Sequence, residues 1–263
     1  MNMNQGNILY EVDHRVGIIT INRPKKSNSF DFDLLEELYK KLIEADKDKK
    51  VRCLLLKSTG ERIFSSGFDL SGSGLGSAEF SSKIFELGGK ISQMMIFMKK
   101  PIIVQVQGSA IGFGFMLIMA SDLKVFADKP IEEMYFRMPE IVLKGYPRAG
   151  AVVLPLLTFG LNYAKKILLT ADKIGIEELK SFNFPTRIFP PDELELETWN
   201  FVKELSKHPF AVSSLIKSAL TIMDKNFVRR SFELENACGK AAHKKLSQDE
   251  LNLFIKNLFK EYS

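Results

Sequence analysis

The chain has 263 residues, 45% of them hydrophobic and 26% charged, a composition that excludes disordered, collagen-like and low-complexity classes. Its two cysteines, Cys53 and Cys238, exclude a disulfide framework and an all-cysteine zinc site, and a chain this long buries a core without such staples. The 37 Lys and Arg against 32 Asp and Glu leave a net charge of +5, which suits an anionic small ligand such as a phosphate-bearing cofactor and does not demand nucleic acid.

Residues 1–10 are polar and lack the basic-then-apolar pattern of a secretory signal, so a cytoplasmic location is expected. Residues 8–12 and 16–22 read as a hairpin around a turn at 13–15, and the polar stretch 23–28, opened by Pro24, reads as a loop. Asp31 or Asp33 caps a helix to about residue 46, with Leu34, Leu35, Leu38, Leu42 and Ile43 near helical spacing. The continuous apolar run within 51–57 is that of a strand buried on both faces.

The Ser/Gly-rich stretch 71–77 reads as a loop, followed by a helix over 82–98, a strand over 102–106, a glycine turn, a helix over 113–120 and a strand over 123–127. The uncharged run 101–121 is long enough to span a bilayer, but Gln105, Gln107, Gly108, Gly112 and Gly114 interrupt it, so no membrane partner is expected. This alternation predicts an α/β layered fold with crossover connections. Beyond residue 200 only helices are expected, at 201–205, 209–223, 227–246 and 248–262.

There is no phosphate loop ending in Gly-Lys-Ser/Thr and no Gly-x-Ser-x-Gly elbow. His14, His208 and His243 lack metal-ligand spacing, so no metal site is expected. Carboxylate acid/base chemistry and backbone electrostatics remain. Segments 64–70 and 108–114 each follow an apolar run and turn on glycine, and the second opens a helix. Side by side, such turns can aim two backbone amides at one oxygen; taken singly, each is also an ordinary tight turn. In 137–147, Glu140 lies among Met138, Pro139, Ile141 and Val142, where desolvation favours a carboxylate tuned for proton transfer. The alternative is a loop glutamate paired with Arg137, Lys144 or Arg148. Lys40, Lys41, Lys47, Lys49 and Lys50 are interleaved with acids and read as a solvated face, so RNA binding is not expected.

In this order and spacing the segments resemble the crotonase superfamily, the enoyl-CoA hydratase/isomerase family. The likeness runs over about 8–190 and more weakly through the tail. It is carried by Asn22-Arg23-Pro24, Asn28-Ser29-Phe30, Ser66-Gly67-Phe68-Asp69, Lys100-Pro101 leading to Gly108 through Gly114, Pro139-Glu140, Leu169-Thr170-Ala171-Asp172-Lys173-Ile174 and Arg187-Ile188-Phe189-Pro190. The resemblance implies an α/β core of stacked ββα turns forming a spiral over 1–195. It also implies a C-terminal helical region over 196–263 that builds a homotrimer or homohexamer. The implied partner is an acyl-CoA thioester, with coenzyme A as part of the substrate and no permanently bound cofactor.

By the same resemblance, the backbone N–H groups of Phe68 and Phe113 form an oxyanion hole and Glu140 is the catalytic base. Lys25, Lys26, Ser66 and Asp69 contact the CoA part, while Met116 and Arg148 face the acyl pocket. Phe254 and Lys256 could cap a neighbour's CoA site. The sequence departs from the hydratase pattern at Met116, where hydratases carry the first of two water-activating glutamates. A single base suffices to move a double bond, so Δ3–Δ2-enoyl-CoA isomerisation is the expected activity. Hydratase-like activity, decarboxylation, and silent CoA-ester-binding or RNA-binding relatives are the alternatives. Residues 128–135 form a stretch about three residues longer than usual, with Glu132 and Glu133 read as solvated charges. Arg148 and Ala151 replace glycines, and Arg148 is placed either to intrude on the acyl pocket or to pair with a substrate carboxylate.

Overall fold

The first hairpin joins β1 (Ile8–Asp13) to β2 (Val16–Ile21) through His14 and Arg15, both at positive φ (44° and 66°). That geometry matches the right-handed strand twist in a two-residue turn. The structure is a computed structural model and describes residues 6–69, 78–223, 225–244 and 247–262; the expected loop at 71–77 lies outside them. Every residue of β2 is buried, because β2 is interior to a six-stranded sheet ordered β1, β2, β3 (Cys53–Ser58), β5 (Ile102–Val106), β7 (Leu123–Ala127), β9 (Arg187–Phe189). From β2 onward all pairings are parallel, which obliges the chain to cross over between strands.

Those crossovers build a second sheet. β4 (Ile63–Ser65), β6 (Ser109–Ile111) and β8 (Phe136–Arg137) pair in parallel in that order. Each repeat supplies one strand to the large sheet, one to the small sheet, and then a helix. β3 and β4 lead to α2 (Ala78–Phe97), β5 and β6 to α3 (Phe113–Ala120), and β7 and β8 to α4 (Val153–Thr170). Stacking these ββα units explains why successive strands of each sheet lie side by side. The resemblance implies a second strand in each turn, but the residues alone do not place these: two or three residues are too few to show a period of two.

α1 (Phe32–Lys47) is capped by Asp31, whose side chain accepts from the Leu34 N–H at 2.9 Å; Asp33 lies in the first turn. Residues 24–26 of the expected loop form a single 3-10 turn. Along β3, Leu54 and Leu56 enter the main core while Cys53 and Leu55 face a second cluster beneath α6 (Leu194–Lys207), which accounts for the unbroken apolar run. The main core holds Phe30, Phe64, Phe113, Phe115, Phe126 and Phe136, all fully buried.

The remaining helices are α5 (Ile176–Lys180), α7 (Phe210–Ile222), α8 (Lys225–His243) and α9 (Gln248–Tyr262). α4, α5 and β9 were not anticipated from the sequence, and α6 begins seven residues before the helix expected at 201. Residues 101–121 resolve into β5, β6 and the eight-residue α3. Among the described residues no helix is long and apolar enough to cross a membrane.

Candidate active site

Two turns meet backbone to backbone. Gly67, just past β4, has φ +86°, and a Cβ there would lie 2.6 Å from the Ile111 carbonyl oxygen and 3.1 Å from the Phe113 nitrogen. Only glycine permits both the angle and the approach. A Cβ at Gly114 would lie 2.5 Å from the Ser65 carbonyl oxygen, so the first turn of α3 is seated directly on the end of β4.

Phe30 and Phe68 form a parallel bridge in which the Phe30 N–H donates to Gly67 O and the Asp69 N–H donates to Phe30 O, both at 2.8 Å. That pattern leaves the N–H of Phe68 pointing away from Phe30. Phe113 is the first residue of α3, where helical N–H groups lack intrahelical partners and the dipole is positive. Among the described residues, neither amide donates to a protein acceptor. Both side chains turn into the core: the Phe68 and Phe113 rings stack at 4.5 Å, and Phe113 meets Phe30 edge-on at 5.4 Å. Bulky residues are tolerated here because the rings leave the amides uncovered.

Pairing of the small sheet delivers the carboxylate. β8 lies beside β6, and the Gly112 N–H donates to Arg137 O at 2.9 Å, which sets Pro139-Glu140 against Gly112. A Cβ at Gly112 would lie 3.5 Å from Glu140 Oε1. Glu140 Oε2 is buried and has no hydrogen-bond partner. Burial pushes the Glu140 carboxyl from 4.5 up to about 7, and the charge of Glu235 adds to the rise.

The ion-pair alternative for Glu140 is not realised. Arg137 Nε donates to the Ala171 carbonyl at 2.6 Å, Arg148 bonds to Ser82 and Asn236, and Lys144 is exposed. Ile141, Val142 and Leu143, 45%, 57% and 57% exposed, form an apolar rim beside the acid.

Met116 is buried one turn into α3, its N–H donating to Gly112 O at 3.0 Å. Lys25 and Lys26 are exposed on the 3-10 turn, and the Ser66 N–H donates to Ser27 O at 3.0 Å, tying that loop to the Phe68 turn. Asp69 is held by Arg23 Nη1 at 3.3 Å, and the same guanidinium pairs with Asp31 through Nη2 at 2.7 Å. The Asp69 carboxylate thus organises the loops around Phe68. Lys40 and Lys41 pair with Glu36 and Glu44 on an exposed helix face.

Glu132 and Glu133 are exposed and line an open hollow of about 520 Å³ with Glu61, Arg62 and Tyr135. The long segment closes on itself through Pro130 O, which accepts from the Glu133 and Met134 N–H groups. Phe254 lines a hollow between α8 and α9, and Lys256 is exposed. Among the described residues no cluster of His, Cys, Asp or Glu has the makings of a metal site.

Sequence reasoning missed Glu235. This α8 residue is 2% exposed and accepts from the N–H groups of Gly150, Val152 and Val153 at 2.8, 3.0 and 2.9 Å, capping α4 from across the fold. Burial pushes its carboxyl up to about 7 against the downward pull of those bonds. Nothing in the polar sequence of α8 signals the role, because its partners lie more than eighty positions away. With three amides to satisfy, Glu235 does not replace the glutamate missing at Met116.

Residues 11–255 match the family model described as Enoyl-CoA hydratase/isomerase, and the chain belongs to that family, within the crotonase superfamily. It is similar to a crotonyl-CoA hydratase of Syntrophomonas wolfei subsp. wolfei, 31% identical over 208 residues and covering 78% of each chain. It is also similar to a trans-2-decenoyl acyl-carrier-protein isomerase of Streptococcus mutans, 28% identical over 204 residues and 76% of each chain. The solved structure of an enoyl-CoA hydratase/isomerase from Xanthobacter autotrophicus Py2 superposes with a TM-score of 0.82 at 23% identity, covering 95% of this chain and 91% of that one, and shows the fold.

Proposed function

We propose that this enzyme is a Δ3–Δ2-enoyl-CoA isomerase that works through an enolate held by the Phe68 and Phe113 amides. The thioester oxygen accepts from those two N–H groups while Glu140 removes a proton from C2. The negative charge moves onto the oxygen, where each donor is worth about 2.7–4 kcal/mol in the transition state. The protonated Glu140 then returns a proton at C4, leaving the double bond between C2 and C3 in conjugation with the carbonyl. No cofactor takes part, coenzyme A being the handle of the substrate; Lys25 and Lys26 lie on the exposed turn that suits its phosphates.

One observation carries the reading. One oxygen of the carboxylate against Gly112, Oε2, is buried without a polar partner, and the position from which a hydratase would supply the other glutamate of its pair is the buried thioether of Met116. A proton shuttle between two carbons needs one such acid; adding water across a double bond is best served by two. A second reading, hydration, is favoured by the hydratase names of relatives such as the Syntrophomonas protein.

Incubating the protein with a 3-enoyl-CoA and separately with crotonyl-CoA distinguishes the two. The expected result is conjugated 2-enoyl-CoA from the first and very slow hydration of the second. Glu140→Gln should abolish isomerisation and keep acyl-CoA affinity. Rapid hydration of crotonyl-CoA, or full isomerase turnover in the variant, would overturn the assignment.

A further inference from the structure

Arg148 is 3% exposed, yet among the described residues its hydrogen-bond partners are uncharged: Nη2 donates to Asn236 Oδ1 at 3.0 Å and to Ser82 Oγ at 3.4 Å. Its Nε is buried with no acceptor, and among the described residues no carboxylate lies within ion-pair distance of it. Glu86 and Glu235 act on it only at longer range. A buried guanidinium without a counter-anion is costly, and such groups are normally paired.

The fold nevertheless makes room for this one. The guanidinium lies over the Phe85 ring at 4.9 Å. A Cβ at Gly239 would sit 2.5 Å from Arg148 Cδ, so a glycine inside α8, itself unfavourable by about 1 kcal/mol against alanine, clears the path of the stem.

Packed rings link the place to the candidate active site. Phe85 meets the Phe68 ring edge-on at 5.2 Å, and Phe68 carries one of the two uncovered amides. One turn further along α2, a Cβ at Gly88 would touch both the Phe68 ring (2.7 Å) and Ala149 (3.3 Å). Ala149, the residue after Arg148, therefore packs against the same point of α2 as the Phe68 ring, with the cation one ring beyond.

We propose that Arg148 receives a carboxylate at the far end of the acyl group, so that the substrates of this enzyme are CoA thioesters of dicarboxylic acids. The carboxylate supplies the missing counter-anion and takes the free Nε–H, a charge-assisted bond of the strong class. The inference rests on the acyl-CoA reading of the Glu140 site.

Saturated thioesters test it without turnover. Calorimetric binding of glutaryl-CoA and adipyl-CoA is compared with that of valeryl-CoA and hexanoyl-CoA, for the wild type and for Arg148→Gln. The wild type is expected to bind each diacid thioester about tenfold or more tightly than its neutral partner. The variant should lose that preference while its hexanoyl-CoA affinity stays within about twofold. Equal binding of both series by the wild type overturns the role of Arg148 and leaves the acyl-CoA reading standing. Binding of neither series overturns both. Should Arg148→Gln fail to fold, the wild-type comparison, extended to adipyl-CoA against its methyl ester, still decides.

Discussion

Burial pushes the Glu140 carboxyl up to about 7, and among the described residues no cation pairs with it. As a base it must be ionised, so kcat/KM on a 3-enoyl-CoA should rise with pH through about 7 and level off above, which a pH–rate profile checks. The same displacement governs stability. The folded protein holds this proton more tightly than the unfolded chain, whose carboxyl titrates near 4.5. Its contribution is therefore fully present below 4.5 and is lost as pH rises through about 7. Glu140→Gln should accordingly be more stable than the wild type at about pH 8, by on the order of 1–3 kcal/mol, and indistinguishable near about pH 4, as read by urea unfolding. Glu235, displaced in the same direction, keeps part of the pH dependence in the variant.

The turn after β4 and the start of α3 form one structural unit, since Gly67 lets the two backbones touch. Gly67→Ala adds a Cβ at a left-handed position and drives it against Ile111 O and Phe113 N. Separating the two amides should lower kcat by roughly a hundredfold or more and cost about 1–3 kcal/mol in stability. Gly60→Ala is the control: its φ of +90° is equally strained, but the nearest atom, Pro24 Cβ, lies at 3.5 Å. It should lower Tm with kcat retained, and steady-state kinetics beside thermal unfolding separate the two effects. At this scale the sequence was legible where elements are long or chemically punctuated: the Asp31 cap, the apolar β3 run and the Gly112 break all stand where the residues place them. The small sheet was not, because its strands hold two or three residues and exist only through pairing with one another.

Over the whole molecule, α7 turns Val212, Leu215, Ile216 and Leu220 outward at 54%, 68%, 57% and 68% exposure. An apolar face of this kind is a surface to be covered, and we propose copies of the same chain, in the homotrimer or homohexamer that the resemblance implies, as its cover. Leu220→Glu should shift sedimentation toward smaller species; a wild type that sediments as a monomer at micromolar concentration would exclude the assembly. The residue order alone determined the alternation of strands and helices and the segments bearing Phe68, Phe113 and Glu140, because caps, glycine turns and apolar runs act over a few neighbouring positions. Only the tertiary structure decided which charges find partners. Asp69 is taken by Arg23 from 46 positions away, Glu235 caps α4 from across the fold, and the Glu140 carboxyl and Arg148 are left without an ion-pair partner among the described residues. Pairing and desolvation depend on what folding brings near, and neighbours along the chain do not encode it.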